Sequence, residues 1–239
     1  MLPCAILCGG LATRLRPITE TLPKSLIPLQ GEPFLAHQLR LLRSQGIDRV
    51  VLCVGFLGRM IQEFAGDGSK FGLTVTYSVE GDALLGTAGA IRHALPLLGQ
   101  SFFVLYGDSY LTCDYARVAD AFRASGKRGL MTIYRNEGNY DSSNVEISGD
   151  RIVRYDKRNR APGMKYIDYG LGVFDASAFA DTQEPVRDLA DVYQQLLAAN
   201  ELASYEVTDR FYEIGSLQGI ADLDEYLANR QQDGAGRNG

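Results

Sequence analysis

The sequence predicts an α/β fold whose first half carries a mostly parallel, twisted sheet and whose second half is mixed and rich in strands. Short apolar runs alternate with amphipathic helical segments up to about residue 125, and the loops between them are short. Strands and helices in this alternation form crossover units, which set the strands parallel to one another. From residue 130 to 174 the chain consists mainly of strand-like segments.

The elements of the first half follow from hydrophobic periodicity. Four apolar or alternating segments are predicted strands: residues 5–8, 50–54, 73–79 and 102–106. Four amphipathic segments are predicted helices: residues 33–45, 57–64, 87–98 and 115–125. Pro33 suits the first turn of its helix and Gly46 ends that helix, while Asp114 can cap the last one.

The second half is predicted from the same signals. Four segments are predicted strands: residues 130–134, 144–148, 151–155 and 171–174. Gly149 and Asp150 stand between two of them and favour a tight hairpin turn. Helices are predicted again at residues 189–199 and from about 217 to 229.

The domain organisation is simple, because the chain has neither a Ser- or Pro-rich linker nor an internal repeat. Residues 1–230 are therefore predicted to form a single domain. The last segment, residues 231–239 (QQDGAGRNG), is polar and rich in glycine, and its composition predicts disorder.

Composition excludes several classes of protein. The 239 residues are 46% hydrophobic and 22% charged with a net charge of −5, which supports a sizeable core and argues against general disorder. Acidic residues outnumber basic ones by 29 to 24, so a nucleic-acid partner is not expected. No apolar run approaches the ~20 residues of a membrane span, and residues 1–10 do not resemble a signal peptide. We therefore expect a cytoplasmic protein.

The cysteines and histidines give no metal or disulfide pattern. The four cysteines contain no CxxC pair and are interpreted as small, buried, reduced thiols; they are Cys4, Cys8, Cys53 and Cys113. His37 and His93 fall in amphipathic helical segments and are interpreted as structural.

A glycine-containing loop follows the first predicted strand. Gly9 and Gly10 allow backbone N–H groups to approach an anion, and Arg14 and Lys24 can add positive charge to phosphate oxygens. Ligands of open α/β sheets bind outside the carboxyl ends of the strands, which is where this loop is expected. Neither the Walker pattern nor the GxGxxG fingerprint is present. By itself, the Gly-Gly pair is weak evidence for a phosphate site and is more typical of a plain turn.

The complete string GGLATRLRPIT…LPKSLIPLQGEPF is more specific. It resembles the signature of the sugar-1-phosphate nucleotidyltransferases, and the resemblance extends to about residue 227. The shorter guanylyl- and uridylyltransferases of mannose, heptose or amino-sugar phosphates are the most similar. The resemblance implies a Rossmann-like sheet of the glycosyltransferase-A type, with a β-rich sugar-binding half. It also implies the activity: a nucleoside triphosphate and a sugar 1-phosphate give a nucleotide sugar and pyrophosphate, with Mg²⁺ as cofactor.

The same resemblance assigns roles at the nucleotide. Arg14 holds the outgoing phosphates, and Lys24 stands at the reacting α-phosphate. These two residues and Asp108 are the candidate catalytic residues. The candidate nucleotide-binding residues are Leu7, Gly9, Gly10, Thr13, Arg14, Lys24, Glu80, Gly86 and Thr87.

Glu80 stands where many relatives carry glutamine, in a segment that the resemblance places around the base. A carboxylate only accepts hydrogen bonds, so it suits a base edge that presents donors. Guanine presents two adjacent donors, which makes GTP the favoured substrate. Uridylyl and cytidylyl transfer remain open.

Acidic residues at two positions are candidate metal ligands. Asp108 directly follows the strand predicted at residues 102–106, and Mg²⁺ prefers one or two carboxylates together with phosphate oxygens and water. Glu213 occupies a position where relatives usually carry aspartate, so its longer side chain leaves direct contact or contact through water open. We expect Asp108 and Glu213 to meet across a cleft.

The second half supplies the candidate sugar site. Asp156 and Lys157 match an acid–lysine pair of the family, which implies that Lys157 binds the sugar phosphate and Asp156 a hydroxyl. The basic run around them is otherwise typical of a solvated face. The candidate sugar-phosphate-binding residues are Gly107, Asn144, Glu146, Asp156, Lys157, Tyr169 and Gly170. Asn144 replaces a common glycine, so the sugar cannot be copied from the family; manno-configured heptose or mannose is favoured narrowly.

Two other classes of function stay open at this point. A non-catalytic, regulatory homologue would share the fold, and the glutamate at position 213 is compatible with it. A dinucleotide-dependent oxidoreductase would share the parallel sheet but lacks its fingerprint. The sequence is compatible with a monomer or a small homo-oligomer.

Overall fold

The computed structural model describes residues 1–10, 15–81, 85–159, 161–180 and 188–235. Its helices are α1 (Phe34–Ser44), α2 (Gly58–Ala65), α3 (Gly86–Leu98), α4 (Tyr115–Ser125), α5 (Leu189–Ala198) and α6 (Leu217–Ala235). The strands of the first half are β1 (Cys4–Leu7), β2 (Pro28–Leu29), β3 (Glu32–Pro33), β4 (Arg49–Val54), β5 (Thr74–Val79), β6 (Ser101–Tyr106) and β7 (Ser109–Leu111). Those of the second half are β8 (Gly129–Arg135), β9 (Val145–Ser148), β10 (Arg151–Tyr155), β11 (Tyr166–Asp175), β12 (Leu202–Val207) and β13 (Phe211–Glu213).

A parallel unit of four strands forms one side of the main sheet, in the order β6–β1–β4–β5. The strand β1 lies between β4 and β6, so the chain order reverses beside it. In open α/β sheets the crevice for a ligand forms at the carboxyl ends of the strands at such a reversal. The predicted parallel sheet is confirmed.

The second half adds a mixed portion to the same nine-stranded sheet. The long strand β11 runs antiparallel to both β6 and β8, and β12 runs parallel to β8. β9 and β10 form the predicted hairpin, in which Gly149 takes a φ of +63° that favours glycine. The predicted β-rich half is confirmed.

Apolar side chains cover both faces of the sheet. One face packs against α1, α2 and α4, through residues such as Leu39, Ile61 and Val118. The other face packs against α3 and α5, through residues such as Ile91 and Val192. The result is the three-layer arrangement expected for an α/β fold.

A third, smaller cluster fixes α6 beside the site. It joins α6 to β2, α1, β7 and the residue after β13 through buried apolar side chains, among them Leu29, Phe34, Tyr110, Ile214 and Leu223. The antiparallel pair β7–β13 sets Glu213 opposite Ser109, so the chain near its end returns to the carboxyl end of β6.

The elements differ from the predictions in two respects. Five strands have no counterpart among the predictions: β2, β3, β7, β12 and β13. The last helix, predicted to end near residue 229, continues to Ala235. None of the described helices is long and apolar enough to cross a membrane.

Candidate active site

Two neighbouring cavities occupy the carboxyl edge of the sheet, and Tyr106 and Asp108 line both. The first, of about 350 Å³, is lined mainly by the loops after β1 and β6 and by the start of α3: Leu7, Cys8, Gly9, Gly10, Lys24, Ser25, Glu80, Gly86, Thr87, Ala90, Tyr106, Gly107 and Asp108. The second, of about 400 Å³, is lined by the second half as well, including Asn144, Asp156, Lys157, Asp168, Tyr169, Gly170 and Glu213. We call them the first and second cavity.

Two glycines of the first cavity stand where neighbouring groups approach the backbone closely. A Cβ on Gly107 would lie 2.4 Å from the carbonyl oxygen of Leu7, so the turn after β6 presses directly on the end of β1. A Cβ on Gly9 would lie 2.8 Å from Oε1 of Glu80. At Gly10, no atom of the described part of the chain lies within 4 Å of the corresponding point.

Glu80 and the start of α3 form the opposite wall of the first cavity. Oε2 of Glu80 accepts a hydrogen bond from the backbone N–H of Leu85 at 3.2 Å. Gly86 begins α3 with a φ of +73°. The hydroxyl of Thr87 accepts a bond of 2.7 Å from the N–H of Leu189, so Thr87 also ties α3 to α5.

Lys24 and Asp108 form an ion pair where the two cavities meet. Lys24 lies in a single 3-10 turn after Pro23, and its Nζ is 2.5 Å from Oδ2 of Asp108. The two side chains are 15% and 29% exposed, so both are accessible from the cavities. Oδ1 of Asp108 has a weak further contact with the hydroxyl of Ser109 at 3.5 Å.

Glu213, at the end of β13, lies close to the Lys24–Asp108 ion pair. A Cβ on Gly215 would lie 2.0 Å from Oε2 of Glu213 and 3.3 Å from Nζ of Lys24, so these two groups are neighbours. Oε2 of Glu213 also accepts a hydrogen bond of 2.8 Å from the N–H of Gly215, and Oε1 contacts the hydroxyl of Ser216 at 3.3 Å.

The two carboxylates can be compared with what a Mg²⁺ ion requires. Asp108 fits, because its carboxylate borders both cavities and Mg²⁺ takes one or two carboxylates with the rest of its shell from phosphate and water. Glu213 fits less directly, since both of its oxygens already accept bonds from its own turn. Within the described residues there is no cluster of three or more potential ligands.

Lys157 is held at the second cavity by a polar network. Its Nζ lies 3.5 Å from Oδ2 of Asp168 and donates a hydrogen bond of 3.2 Å to the hydroxyl of Tyr106. Burial favours the neutral amine, but the charge of Asp168 and the contact with Tyr106 outweigh it and raise the pKa of Lys157. Burial also raises the pKa of Tyr106 to about 12, so the Tyr106 hydroxyl stays protonated at neutral pH.

Asp168 anchors this network. Its side chain is only 3% exposed; Tyr155 donates its hydroxyl to Oδ2 at 3.1 Å, and the N–H of Gly170 donates to Oδ1 at 3.1 Å. The backbone N–H of Asp168 in turn donates to Oδ1 of Asn144 at 2.9 Å. Asn144 therefore borders the second cavity while its side-chain oxygen is committed to β11.

Three other residues predicted to bind the sugar phosphate, Asp156, Tyr169 and Gly170, lie in or near the second cavity but in different environments. The carboxylate of Asp156 accepts bonds from the N–H groups of Arg158 and Asn159, which lowers the pKa of Asp156 and shapes the turn that carries Lys157. Gly170 borders the second cavity with a φ of +98°. The side chain of Tyr169 packs instead into the core, next to Tyr134 and Phe211.

Glu146 stands apart from the group that lines the two cavities. Its carboxylate lies 3.7 Å from Arg154 across the β9–β10 hairpin and close to Gly163. Thr13 and Arg14, to which the resemblance assigns nucleotide and phosphate contacts, lie outside the described residues.

Comparison with known proteins shows the family of this chain. Residues 4–230 match the model of the nucleotidyl transferase family. The chain belongs to this family. It is an enzyme of the sugar-1-phosphate nucleotidyltransferase type, as the resemblance implies.

Relatives of this nucleotidyltransferase differ in base and sugar. It is 29% identical over 219 residues to an N-acetylmuramate α-1-phosphate uridylyltransferase of Neisseria meningitidis, covering 89% of this chain and 92% of that protein. It is 30% identical to a mannose-1-phosphate guanylyltransferase of Mycobacterium tuberculosis over 91% of this chain, and spans 63% of that protein's length. The structure of HddC from Yersinia pseudotuberculosis complexed with GMP-PN superposes with a TM-score of 0.79 at 21% identity, covering 95% of this chain and all of that one. At that identity it supports the fold alone.

Asp168 and Gln38 are two of the residues around the nucleotidyltransferase site that are absent from the sequence predictions. Asp168 lies in a segment (YIDYGLG) whose alternation is typical of an ordinary strand. The feature that could have indicated a functional residue is the acid next to apolar residues in that strand. Gln38 is fully buried and stands three residues after Leu35 and four before Leu42, on the apolar face of α1. A polar residue at a position that the helical periodicity assigns to the core is unusual, and this could have identified Gln38 from the sequence.

Proposed function

We propose that this nucleotidyltransferase joins a nucleoside triphosphate, with GTP favoured, to a sugar 1-phosphate and releases pyrophosphate. A manno-configured heptose or mannose is the favoured sugar. The supporting observation is the pair of cavities that meet at Asp108, with Lys24 in the first and Lys157 at the second. Two anionic substrates bound in adjoining cavities would each find a cation, and their reacting ends would meet at the shared wall.

Chemistry in this site requires alignment more than proton transfer. A phosphate monoester has a second pKa near 6, so the oxygen of a sugar phosphate is already largely ionised at pH 7 and can attack without a general base. Lys157 would draw in this anion, and the charge of Asp168 keeps the Lys157 ammonium protonated. Lys24 would neutralise charge at the α-phosphate as the bond to pyrophosphate breaks. Positioning and charge stabilisation dominate phosphoryl transfer.

Magnesium is the proposed cofactor. When bound, Mg²⁺ supplies positive charge that offsets the triphosphate. Asp108 is the residue best placed to hold it, and Glu213 would act from its own turn, through water or after a change of partner. Lys24 would then exchange its contact with Asp108 for a phosphate oxygen.

Glu80 supports the choice of GTP. Its carboxylate lies in the wall of the first cavity, with Gly9 on one side and the start of α3 on the other. A base that offers two neighbouring donors satisfies a carboxylate better than one that offers a single donor.

The shape of the site leaves room for either favoured sugar, including the longer heptose. A hollow of about 620 Å³ continues from the second cavity and shares Asp141, Ser142 and Ser143 with it. The hydroxyl, carboxylate and ammonium groups around it suit a hydroxyl-rich extension, as on a heptose. The substrates are soluble phosphorylated metabolites, in keeping with a cytoplasmic enzyme that acts as a monomer or small homo-oligomer.

A matrix of four nucleoside triphosphates against mannose, manno-heptose, glucose and N-acetylated amino-sugar 1-phosphates would test the proposal, with pyrophosphate release as the readout. We expect the highest kcat/KM for GTP with manno-heptose or mannose 1-phosphate. A clear preference for UTP, CTP or dTTP would overturn the assignment of the base, and no release with any pair would overturn the proposed reaction.

Uridylyl transfer is the second candidate. It is favoured by the relative from Neisseria meningitidis, which is named a uridylyltransferase and is matched over 92% of its length. The UTP column of the same matrix, with N-acetylmuramate 1-phosphate added, distinguishes the two candidates.

A further inference from the structure

Four backbone groups in and beside the turn that carries Asp108 are hydrogen-bonded. The N–H of Gly107 donates to the carbonyl of Leu7 at 3.0 Å, and the carbonyl of Asp108 accepts from the N–H of Ile214 at 2.9 Å. The carbonyls on either side, of Tyr106 and Ser109, both accept from one group, the side-chain amide of Gln38, at 3.2 and 2.8 Å.

Gln38 is an unusual residue for its place. It is 0% exposed, on the face of α1 that packs against the sheet. Its Nε2 bonds to two carbonyl oxygens, which fixes the orientation of the amide, because the reverse would set oxygen against oxygen. Its Oε1 has no partner among the described residues. A buried polar group with an unpaired acceptor destabilises the core, so stability alone does not account for a glutamine here.

We propose that Gln38 is a positioning residue for Asp108 and, through it, for the metal-binding edge of the site. The inference rests on the proposed function, since it assumes that Asp108 contributes to binding a divalent cation. The two bonds of Gln38 fix the carbonyls before and after the Gly107–Asp108 pair, and this sets the direction in which the Asp108 carboxylate points. The partners of the other two backbone bonds are main-chain groups, so among the described residues Gln38 is the side chain whose hydrogen bonds to the backbone of this turn a substitution can remove.

Gln38→Met is the direct test, because methionine has a similar shape and no donor. Binding of Mn²⁺ by electron paramagnetic resonance, with a non-hydrolysable GTP analogue present, reports the cation site without turnover. We expect the half-saturating Mn²⁺ concentration to rise about tenfold, as expected when hydrogen bonds that orient a ligand are lost. In the transfer reaction, kcat should fall and the apparent requirement for Mg²⁺ should rise, while the KM for the sugar phosphate changes little.

Gln45→Met is the matched control. Gln45 follows α1, and its Oε1 accepts a hydrogen bond from the N–H of Tyr115 at 3.3 Å, away from both cavities. Gln45→Met also removes a hydrogen bond between a glutamine side chain and the backbone, here one that the side chain accepts, so its melting temperature should also fall. Its Mn²⁺ affinity should stay within twofold of the parent enzyme's.

The outcomes separate the inference from the proposed function. Equal Mn²⁺ affinity in Gln38→Met and in the parent enzyme would overturn the role of Gln38, as would a parent enzyme that binds no Mn²⁺ with the analogue. If Gln38→Met fails to fold, Gln38→Asn keeps the amide but shortens its reach, and its Mn²⁺ affinity must fall for the inference to stand. A parent enzyme that binds Mn²⁺ but transfers no nucleotide would overturn the proposed reaction only.

Discussion

Lys24 and Asp108 are joined by an ion pair of 2.5 Å at the wall between the two cavities, although 84 residues separate them in the chain. Lys24 comes from the loop region after β1, and Asp108 from the turn after β6. Because β1 and β6 are parallel neighbours, their carboxyl ends bring these charges together. The pair sets a cation and a candidate metal ligand at the place where two phosphorylated substrates would meet.

Replacement of Lys24 by alanine should reduce turnover more than it weakens nucleotide binding. If Lys24 acts on charge that develops at the α-phosphate, kcat should fall about 100- to 1,000-fold, as for loss of a preorganised electrostatic group. The dissociation constant for GTP, measured by calorimetry with a non-hydrolysable analogue, should change by less than about tenfold. Lys127→Ala, at a surface contact with Asn200, is the control and should leave both values unchanged. Loss of affinity alone would argue against a role in the transition state.

Asp108→Asn should show whether the carboxylate holds the cation. Asparagine keeps the shape but not the charge, so kcat at saturating Mg²⁺ should fall by roughly two orders of magnitude or more. The half-saturating Mg²⁺ concentration should rise at the same time. Steady-state rates over a Mg²⁺ titration measure both. Near-normal activity at saturating Mg²⁺ would refute the metal role of Asp108.

The order of strands and helices could be predicted because each depends mainly on the local spacing of apolar residues. The helix over Phe34–Ser44, for example, has Pro33 before it and apolar side chains at regular spacing. The strands β7 and β13 could not be found in this way, because each has three residues and exists only through its pairing with the other, about 100 residues away.

The same distinction holds for the site. Lys24, Asp108 and Glu80 follow strands or belong to a recognisable string, so their place at the sheet edge could be anticipated. Asp168 could be recognised only from its contacts in the structure. Its ion pair with Lys157 depends on how the turn after β10 lies against β11, and the sequence does not show that. The placement of Glu146 could not be predicted either, because the register of the predicted hairpin shifts between Ile152 and Arg154 and sets Glu146 opposite Arg154.

Asp168→Asn should change the pH dependence of the reaction. In the parent enzyme the charge of Asp168 helps to raise the pKa of Lys157 against the effect of burial. Without that charge the pKa of Lys157 should fall, because one of the groups that oppose the effect of burial is gone, and the ammonium is then lost at a lower pH. The alkaline limb of kcat/KM for the sugar phosphate should therefore move to lower pH.

A pH–rate profile of the parent enzyme, Asp168→Asn and Lys157→Met distinguishes this effect from a general loss of structure. Lys157→Met removes the titrating group, so its rate should be low without an alkaline limb from this residue. An unshifted limb in Asp168→Asn would show that Asp168 does not control the charge of Lys157.

Glu80→Gln should weaken the preference for GTP. A carboxylate can accept from both donors of a guanine edge, whereas an amide offers one acceptor and sets its NH₂ against the other donor. Hydrogen bonds to charged groups contribute about 1.5–3 kcal/mol, so kcat/KM for GTP should fall roughly 10- to 150-fold. Competition between GTP and UTP measures the ratio directly. A ratio equal to that of the parent enzyme would exclude Glu80 from base selection.

Gly107→Ala should damage both stability and activity. The added Cβ would lie 2.4 Å from the carbonyl oxygen of Leu7 and 3.1 Å from Sγ of Cys8, and the backbone of β1 cannot move away without disturbing its pairing with β4. We expect a loss of about 2–3 kcal/mol in the free energy of unfolding, as for other overpacked sites. Since Asp108 follows directly, kcat should fall as well.

Gly81→Ala is the matched control, because a Cβ at Gly81 meets no atom of the described residues within 4 Å and the residue does not adopt a positive φ. Its free energy of unfolding should stay within about 0.5 kcal/mol of the parent enzyme's, or rise slightly through lower entropy of the unfolded chain. Urea denaturation followed by circular dichroism measures both variants. If Gly107→Ala is as stable and active as Gly81→Ala, then the turn after β6 can move away from β1. In that case the position of Asp108 does not depend on the close approach of Gly107 to Leu7.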